Sequence, residues 1–145
     1  MSFDLKILNG DLVVDSTGDL KKVENTDKLV QDILKICTTQ RGFKRKYPFY
    51  GCLVSNSLIG SAFPEDFMNT YASSQLKDSI QSLIELQKIQ QRFQYMSPQE
   101  SIAAIGNIQI NRLPSDPRYF LIYVSVVNKA FSRVDASFEI NSTGL

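Results

Sequence analysis

The chain has 145 residues, a net charge of +1, no histidine and two cysteines, with ordinary apolar and charged fractions. That length fits one domain, residues 1–145, large enough to bury a core without staples. Near-neutral charge argues against a global pull toward nucleic acid or membrane; no run of roughly 18 apolar residues offers a spanning helix; and the donor set for a zinc site is nearly absent.

The N-terminus, Met1-Ser2-Phe3-Asp4-Leu5, lacks the basic-then-apolar layout of a signal peptide, so the expectation is a protein made and used in a cytoplasm. There Cys37 and Cys52 stay thiols. Cys37 reads as a small buried hydrophobe on a helix face.

In chain order, Asp11-Leu12-Val13-Val14 and Asp19-Leu20-Lys21-Lys22-Val23 flank the turn cluster Asp15-Ser16-Thr17-Gly18, a hairpin signal. A helix follows, capped at Asn25 or Thr26, with Leu29, Val30, Ile33, Leu34 and Cys37 on one stripe. Gly42 is placed to end it as a C-cap residue. Residues 41–58 read as a loop broken by Tyr47-Pro48 and Tyr50-Gly51.

Pro64-Glu65-Asp66 opens a second helical stretch, with proline at the first helical position. The pattern continues to about Tyr95, with a break expected near Ala72-Ser73-Ser74. Leu76, Ile80, Leu83 and Ile84 form its stripe, and Gln81, Gln87, Gln90, Gln91 and Gln94 make much of the remainder polar.

Ser97-Pro98 ends the helix and the period drops to two. Ile102, Ala104, Ile108 and Ile110 share one strand face. Phe120, Ile122, Val124 and Val126 share another, while Tyr119, Leu121, Tyr123 and Val127 on the reverse side imply a central strand covered on both sides. In the last strand Val134, Ala136, Phe138 and Ile140 point in, and Arg133, Asp135, Ser137 and Glu139 point out toward solvent or a partner. The expected fold class is α+β: an N-terminal β-hairpin, two to three helices and a C-terminal three-stranded antiparallel meander in one compact domain.

No catalytic constellation emerges. The commonest general base is missing. There is no nucleophile elbow, Walker loop or dinucleotide fingerprint. Glu65, Asp66, Glu85 and Glu100 could in principle supply a glycosidase pair, but solvated surface acids account for them better. No cofactor or metal ligand is expected.

Two features invite a binding role. Arg41-Gly42-Phe43-Lys44-Arg45-Lys46-Tyr47 carries four cations and two aromatics. It reads as a solvated loop with Phe43 and Tyr47 tucked into the core, as a contact for an acidic protein, or, least favoured, as a nucleic-acid contact. Glu100, at a helix-to-strand junction, can brace backbone donors or serve an interface.

The order and spacing of Gly18-Asp19-Leu20, Thr39-Gln40-Arg41-Gly42, Pro48-Phe49-Tyr50-Gly51 followed by Leu53, a long helix and three terminal strands resembles the small baseplate wedge proteins of contractile phage tails. This is the family of gene product W and gene product twenty-five, with its type VI secretion relative. The resemblance spans roughly residues 10–141. Relatives often have Gly-Glu where Gly42-Phe43 stands, and Glu-Pro-Arg where the nearest counterpart is Gln99-Glu100-Ser101. Asp116-Pro117-Arg118 resembles that tripeptide but lies between strands.

The resemblance implies a virion tail-baseplate protein assembled in the host cytoplasm and without enzymatic activity. Its implied partners are other wedge proteins, the tail sheath protein and the tail tube or hub; no membrane partner is expected, and a nucleic-acid-binding module using the Arg41–Tyr47 loop is the less favoured alternative. It also implies an edge strand that templates the first sheath ring; residues 131–140 and the N-terminal hairpin are the candidates, with the polar tail 141–145 ordering on assembly. Candidate interface residues are Arg41, Lys44, Arg45, Lys46, Glu100, Arg133, Asp135, Ser137 and Glu139. A lysozyme-like label attached to some relatives finds no support in these residues.

Overall fold

The fold, taken from a computed structural model, is described for residues 2–54 and 64–141. The C-terminal part of the 41–58 loop and nearly all of the polar tail lie outside the described residues. The N-terminal segment forms four two-residue strands, β1 (Asp4–Leu5), β2 (Ile7–Leu8), β3 (Asp11–Leu12) and β4 (Lys22–Val23). β1 pairs with β4 and β2 with β3, both antiparallel, and Val14 bridges Leu20. The expected hairpin across 15–18 is therefore present. Its turn is organised by the Asp15 carboxylate, which accepts from the Thr17 N–H (2.8 Å), the Thr17 hydroxyl (2.6 Å) and the Asp19 N–H (3.1 Å). Residues 4–8 add a pairing segment too short to carry a periodic signal of its own. The register places Ile7, Leu12, Val14 and Leu20 on one exposed face.

α1 (Asn25–Thr38) begins within a residue of the expected cap and buries Leu29, Ile33, Ile36 and Cys37. Its end differs from the sequence expectation. Thr39, extended at φ −81°, is the C-cap residue; its N–H and hydroxyl both donate to the Lys35 carbonyl (3.0 and 2.6 Å). Gly42, at φ +89°, instead sits in the following turn, closed by the Phe43 N–H to the Gln40 carbonyl. A hydroxyl that satisfies a terminal carbonyl makes the glycine cap unnecessary.

α2 (Glu65–Gln90) runs unbroken through Ala72-Ser73-Ser74 and stops five residues short of Tyr95. Pro64 occupies the cap position, one residue earlier than expected. Ala72 is fully buried, so the expected break is a packing position, where a small residue lets the helix approach its neighbours. A 3-10 turn, Pro98–Glu100, leads into the sheet.

β5 (Ile102–Arg112), β6 (Tyr119–Asn128) and β7 (Arg133–Asn141) form the expected antiparallel meander in the order β5-β6-β7. α2 packs on β5 and α1 on β7, with the two helices also in contact, so both lie against the same sheet. Phe120, Ile122, Val124 and Val126 are all at most 1% exposed and form the centre of the core with Leu29, Ile33, Leu76 and Ile80. Each such side chain contributes about 1.5–3 kcal/mol of burial. β6 is central, but its other face is open rather than covered: Tyr119, Tyr123 and Val127 are half-buried and Leu121 is exposed. Both helices sit on one face, and among the described residues no helix lies on the reverse, where only Ser125 of this strand is buried. β5 also departs from simple alternation. Irregularities at 102–104 and 105–108 leave Ala104 exposed while Ile102 and Ile110 are buried.

Candidate functional site

The nine candidate residues do not gather at one place. They fall into an interior junction, a basic loop and the open face of β7.

Glu100 belongs to the junction. It is 1% exposed, and its Oε1 accepts the Ser97 N–H at 3.0 Å, completing a reciprocal cap of the 3-10 turn. As a contact for an external partner the residue is turned the wrong way; its bracing of a backbone donor is what the fold provides. Around it, Gln87 Nε2 donates to the Glu100 carbonyl and Gln87 Oε1 accepts the Ile102 N–H, each at 2.9 Å. Ser97 Oγ donates to Asn25 Oδ1 (2.8 Å), and the Lys129 N–H reaches the Ser101 carbonyl (2.8 Å). Both helices and the β6–β7 turn are thereby tied to the start of β5. Gln87 belongs by composition to the polar remainder of its helix, yet it is buried. The signal was present: 76, 80, 83 and 87 continue one stripe at helical spacing.

The basic loop grows from a short parallel bridge. The Cys52 N–H donates to the Thr39 carbonyl (2.8 Å) and the Arg41 N–H to the Cys52 carbonyl (3.2 Å). This approach needs Gly51: it stands at φ +115°, and an added Cβ would lie 2.5 Å from the Thr39 oxygen. The Tyr47 N–H donates to the Lys44 carbonyl and the Tyr50 N–H to the Tyr47 carbonyl, giving the loop successive turns. Phe43 and Tyr47 do not tuck into the core; they are 79% and 53% exposed. Tyr50 is the ring that packs inward, and burial pushes its phenol up to about 12. Lys44 Nζ sits 4.3 Å over the Tyr50 ring, and Arg41 Nε is buried without a hydrogen-bond partner.

On β7, Arg133, Asp135, Ser137 and Glu139 are all exposed. Arg133 Nε donates to Asp135 Oδ1 (2.9 Å) and its Nη2 to the Tyr123 hydroxyl (2.7 Å). Hydrogen bonds from Arg133 and Tyr123 hold the Asp135 carboxyl below the usual range. The backbone register adds a second property. The Asn128 N–H donates to the Ser132 carbonyl, which fixes residues 134, 136, 138 and 140 as those hydrogen-bonded to β6. The backbone N–H and C=O groups of residues 133, 135, 137 and 139 therefore point to the outer edge, which no strand among the described residues pairs.

Glu65 and Glu85 do not form a glycosidase pair. Both are exposed and lie 20 positions apart on one helix, roughly 30 Å at the helical rise, where a pair needs about 5–9.5 Å. Glu85 is held low by its hydrogen bond from Lys88. An open groove of about 780 Å³ between α2 and β5 is lined by Thr70, Ser73, Ser74, Lys77 and residues 108–111, with no carboxylate. A smaller pocket of about 290 Å³ does hold Asp4 and Asp32, each ion-paired, to Lys35 and Lys28 respectively. Burial raises Asp32 despite the Lys28 hydrogen bond. Asp116 and Arg118 form a two-point ion pair with each other in the β5–β6 turn (3.0 and 2.8 Å). No group of three or more potential metal ligands occurs among the described residues.

No protein-family model matches the chain, and no curated protein matches it by sequence. Its fold is similar to the crystal structure of a "putative tail lysozyme" from Geobacter sulfurreducens. The TM-score is 0.56, with 90% of this chain and 96% of that chain covered and 12% of residues identical. A likeness at that identity establishes a shared fold.

Proposed function

We propose that this chain is a non-catalytic component of a contractile-tail baseplate wedge, which binds neighbouring wedge proteins and offers the free edge of β7 for a sheath strand to add to. The observation that carries the reading is the outer edge of β7, unpaired among the described residues. The backbone groups that face it belong to Arg133, Asp135, Ser137 and Glu139, whose polar side chains are exposed on the open face. A partner strand would gain ladder hydrogen bonds and side-chain contacts from the same positions. The sequence resemblance supports the reading, and so does a fold shared over nearly the full length with a protein whose name refers to a tail. The tail sheath protein and other wedge proteins are the partners, with the tail tube or hub adjacent, and the virion tail is the location.

The neighbour's name also contains a hydrolase, which keeps a lysozyme-like reading in view. The separation of Glu65 and Glu85 and the burial of Glu100 weigh against it. Peptidoglycan turnover that disappears in Glu65→Gln or Glu85→Gln would favour that reading over the structural one.

The first test is electron microscopy of particles assembled with and without the gene. Missing or sheathless tails, with the protein located where wedge meets sheath, are expected; normal contractile tails without it would refute the proposal. A proline pair then tests the edge. Ser137→Pro removes an outward N–H, whereas Ala136→Pro removes a bond to β6. The first is expected to fold and fail in sheath assembly, the second to fail in folding. Deleting residues 131–145 is a poorer test, because Val134, Ala136 and Ile140 are core.

A further inference from the structure

We propose that the loop of residues 41–50 is a preorganised docking platform for an acidic segment of a partner protein, one that brings carboxylates to Arg45 and Lys46 and apolar side chains to Phe43, Tyr47 and Phe49. The loop contains four cations and no acid. Lys44 lies over Tyr50, and Arg41 is half-buried with its Nε turned away from solvent. Arg45 and Lys46 are exposed and make no ion pair or side-chain hydrogen bond among the described residues. They stand beside three rings that are 79%, 53% and 48% exposed, for Phe43, Tyr47 and Phe49. Rings grouped with unpaired cations on one loop are the composition of a contact surface, in which aromatics and arginine are enriched.

The platform is built in advance of any partner. The bridge to Cys52 closes its base, three backbone-bonded turns shape its path, and Tyr50 anchors it to the core. A loop held in this way has little conformational freedom left to lose when a partner binds.

Charge complementarity selects a carboxylate-bearing partner, and the rings require that it be amphipathic rather than purely acidic. A protein segment fits better than a nucleic acid strand on two grounds. Tyr47 and Phe49 pack edge to face, at 6.1 Å and 82°, so they present no pair of parallel faces for successive bases. The chain's net charge of +1 provides no extended phosphate-attracting field beyond this one loop. The proposal rests on the assembly reading only in taking the partner to be a protein, and it concerns a surface separate from the β7 edge.

The test is isothermal titration calorimetry of the full chain against three probes: a random copolymer of glutamate and tyrosine, poly-glutamate, and oligo-dT. Binding of the copolymer, tighter than poly-glutamate and weakened by salt, is expected. The double variant Arg45→Glu, Lys46→Glu should lose copolymer affinity by about tenfold or more, equivalent to about 1.4 kcal/mol. Phe43→Ser should lose the copolymer's advantage over poly-glutamate. Circular dichroism would check that both variants, altered only at exposed positions, remain folded. Absence of copolymer binding would overturn the proposal, as would unchanged binding by the double variant. So would loop-dependent binding of oligo-dT in preference to the copolymer, which would return the loop to nucleic acid. These outcomes leave the wedge reading untouched, since electron microscopy of particles lacking the gene decides that independently.

Discussion

Replacing Gly51 by alanine puts a methyl group where the backbone of the Thr39 cap already is. The new Cβ would lie 2.5 Å from the Thr39 oxygen and 2.8 Å from the Arg41 nitrogen, so these atoms must separate by about half an ångström or more to reach 3.0 Å. Separation breaks the bridge that closes the basic loop, the Cys52 N–H to Thr39 carbonyl and Arg41 N–H to Cys52 carbonyl bonds. Two such bonds contribute about 1 kcal/mol each, and a non-glycine residue at φ +115° costs about 1–3 kcal/mol more. The expected loss is about 4 kcal/mol, a fall in Tm on the order of 15 °C for a chain of this size. Gly42→Ala is the matched control. Its φ is also positive, at +89°, but nothing lies within 4 Å of the new Cβ, so only the conformational cost of about 1 kcal/mol applies. Equilibrium urea unfolding of both variants measures the difference. If Gly51→Ala fell within about 1 kcal/mol of Gly42→Ala, the close backbone approach would not be what requires glycine there.

Gln87→Leu removes the amide that pairs the Glu100 carbonyl and the Ile102 N–H, leaving both buried groups unsatisfied, and should cost about 2–4 kcal/mol by urea unfolding. Acid should destabilise the fold. Burial pushes the Asp4 carboxyl up, but hydrogen bonds from Lys35, Gln31 and the Leu5 N–H together outweigh it and hold the group below 3.8. Its contribution is therefore present above 3.8 and lost as the pH falls through the lowered value. Asp15, Glu85, Asp116 and Asp135 act in the same direction. Asp32, raised by burial, acts oppositely: its contribution is full below 3.8 and lost as the pH rises through its folded value. Thermal melts should show Tm falling below about pH 4, with Asp4→Asn flattening that limb; a Tm that rose on acidification would contradict this balance. Cys37 and Cys52 are each 1% exposed, and burial raises the Cys37 thiol strongly, so iodoacetamide should label neither until the chain unfolds.

The sequence by itself determined the parts of this protein governed by periodicity and turn chemistry. Two-residue alternation over 102–110, 120–127 and 134–140 specified three strands, and the short connections specified their meander. Three-and-four spacing placed both helices, and Asp15-Ser16-Thr17-Gly18 placed the hairpin turn. These signals are local, since the repeat of an element shows wherever one of its faces is buried. The candidate side chains of β7 were legible for the same reason.

What lay beyond the sequence depends on which surfaces meet. The reverse face of β6 looked covered because Tyr119, Leu121, Tyr123 and Val127 are apolar or aromatic, but both helices settled on the opposite side. Ala72 looked like a break because small residues near serines weaken a local helical pattern, and only the neighbouring elements showed that a small side chain was needed there. Phe43 and Tyr47 looked like core residues by composition, yet the bridge between residues 40 and 52 fixed the loop so that Tyr50 alone turns inward. Glu100 and Gln87 became a buried pair of braces because two helices and a strand meet at one junction, a coincidence separated by 13 residues in the chain. Which backbone groups of β7 face the open edge was likewise decided by tertiary pairing. The Asn128 to Ser132 bond sets the register, and one residue of slip would turn every outward N–H inward.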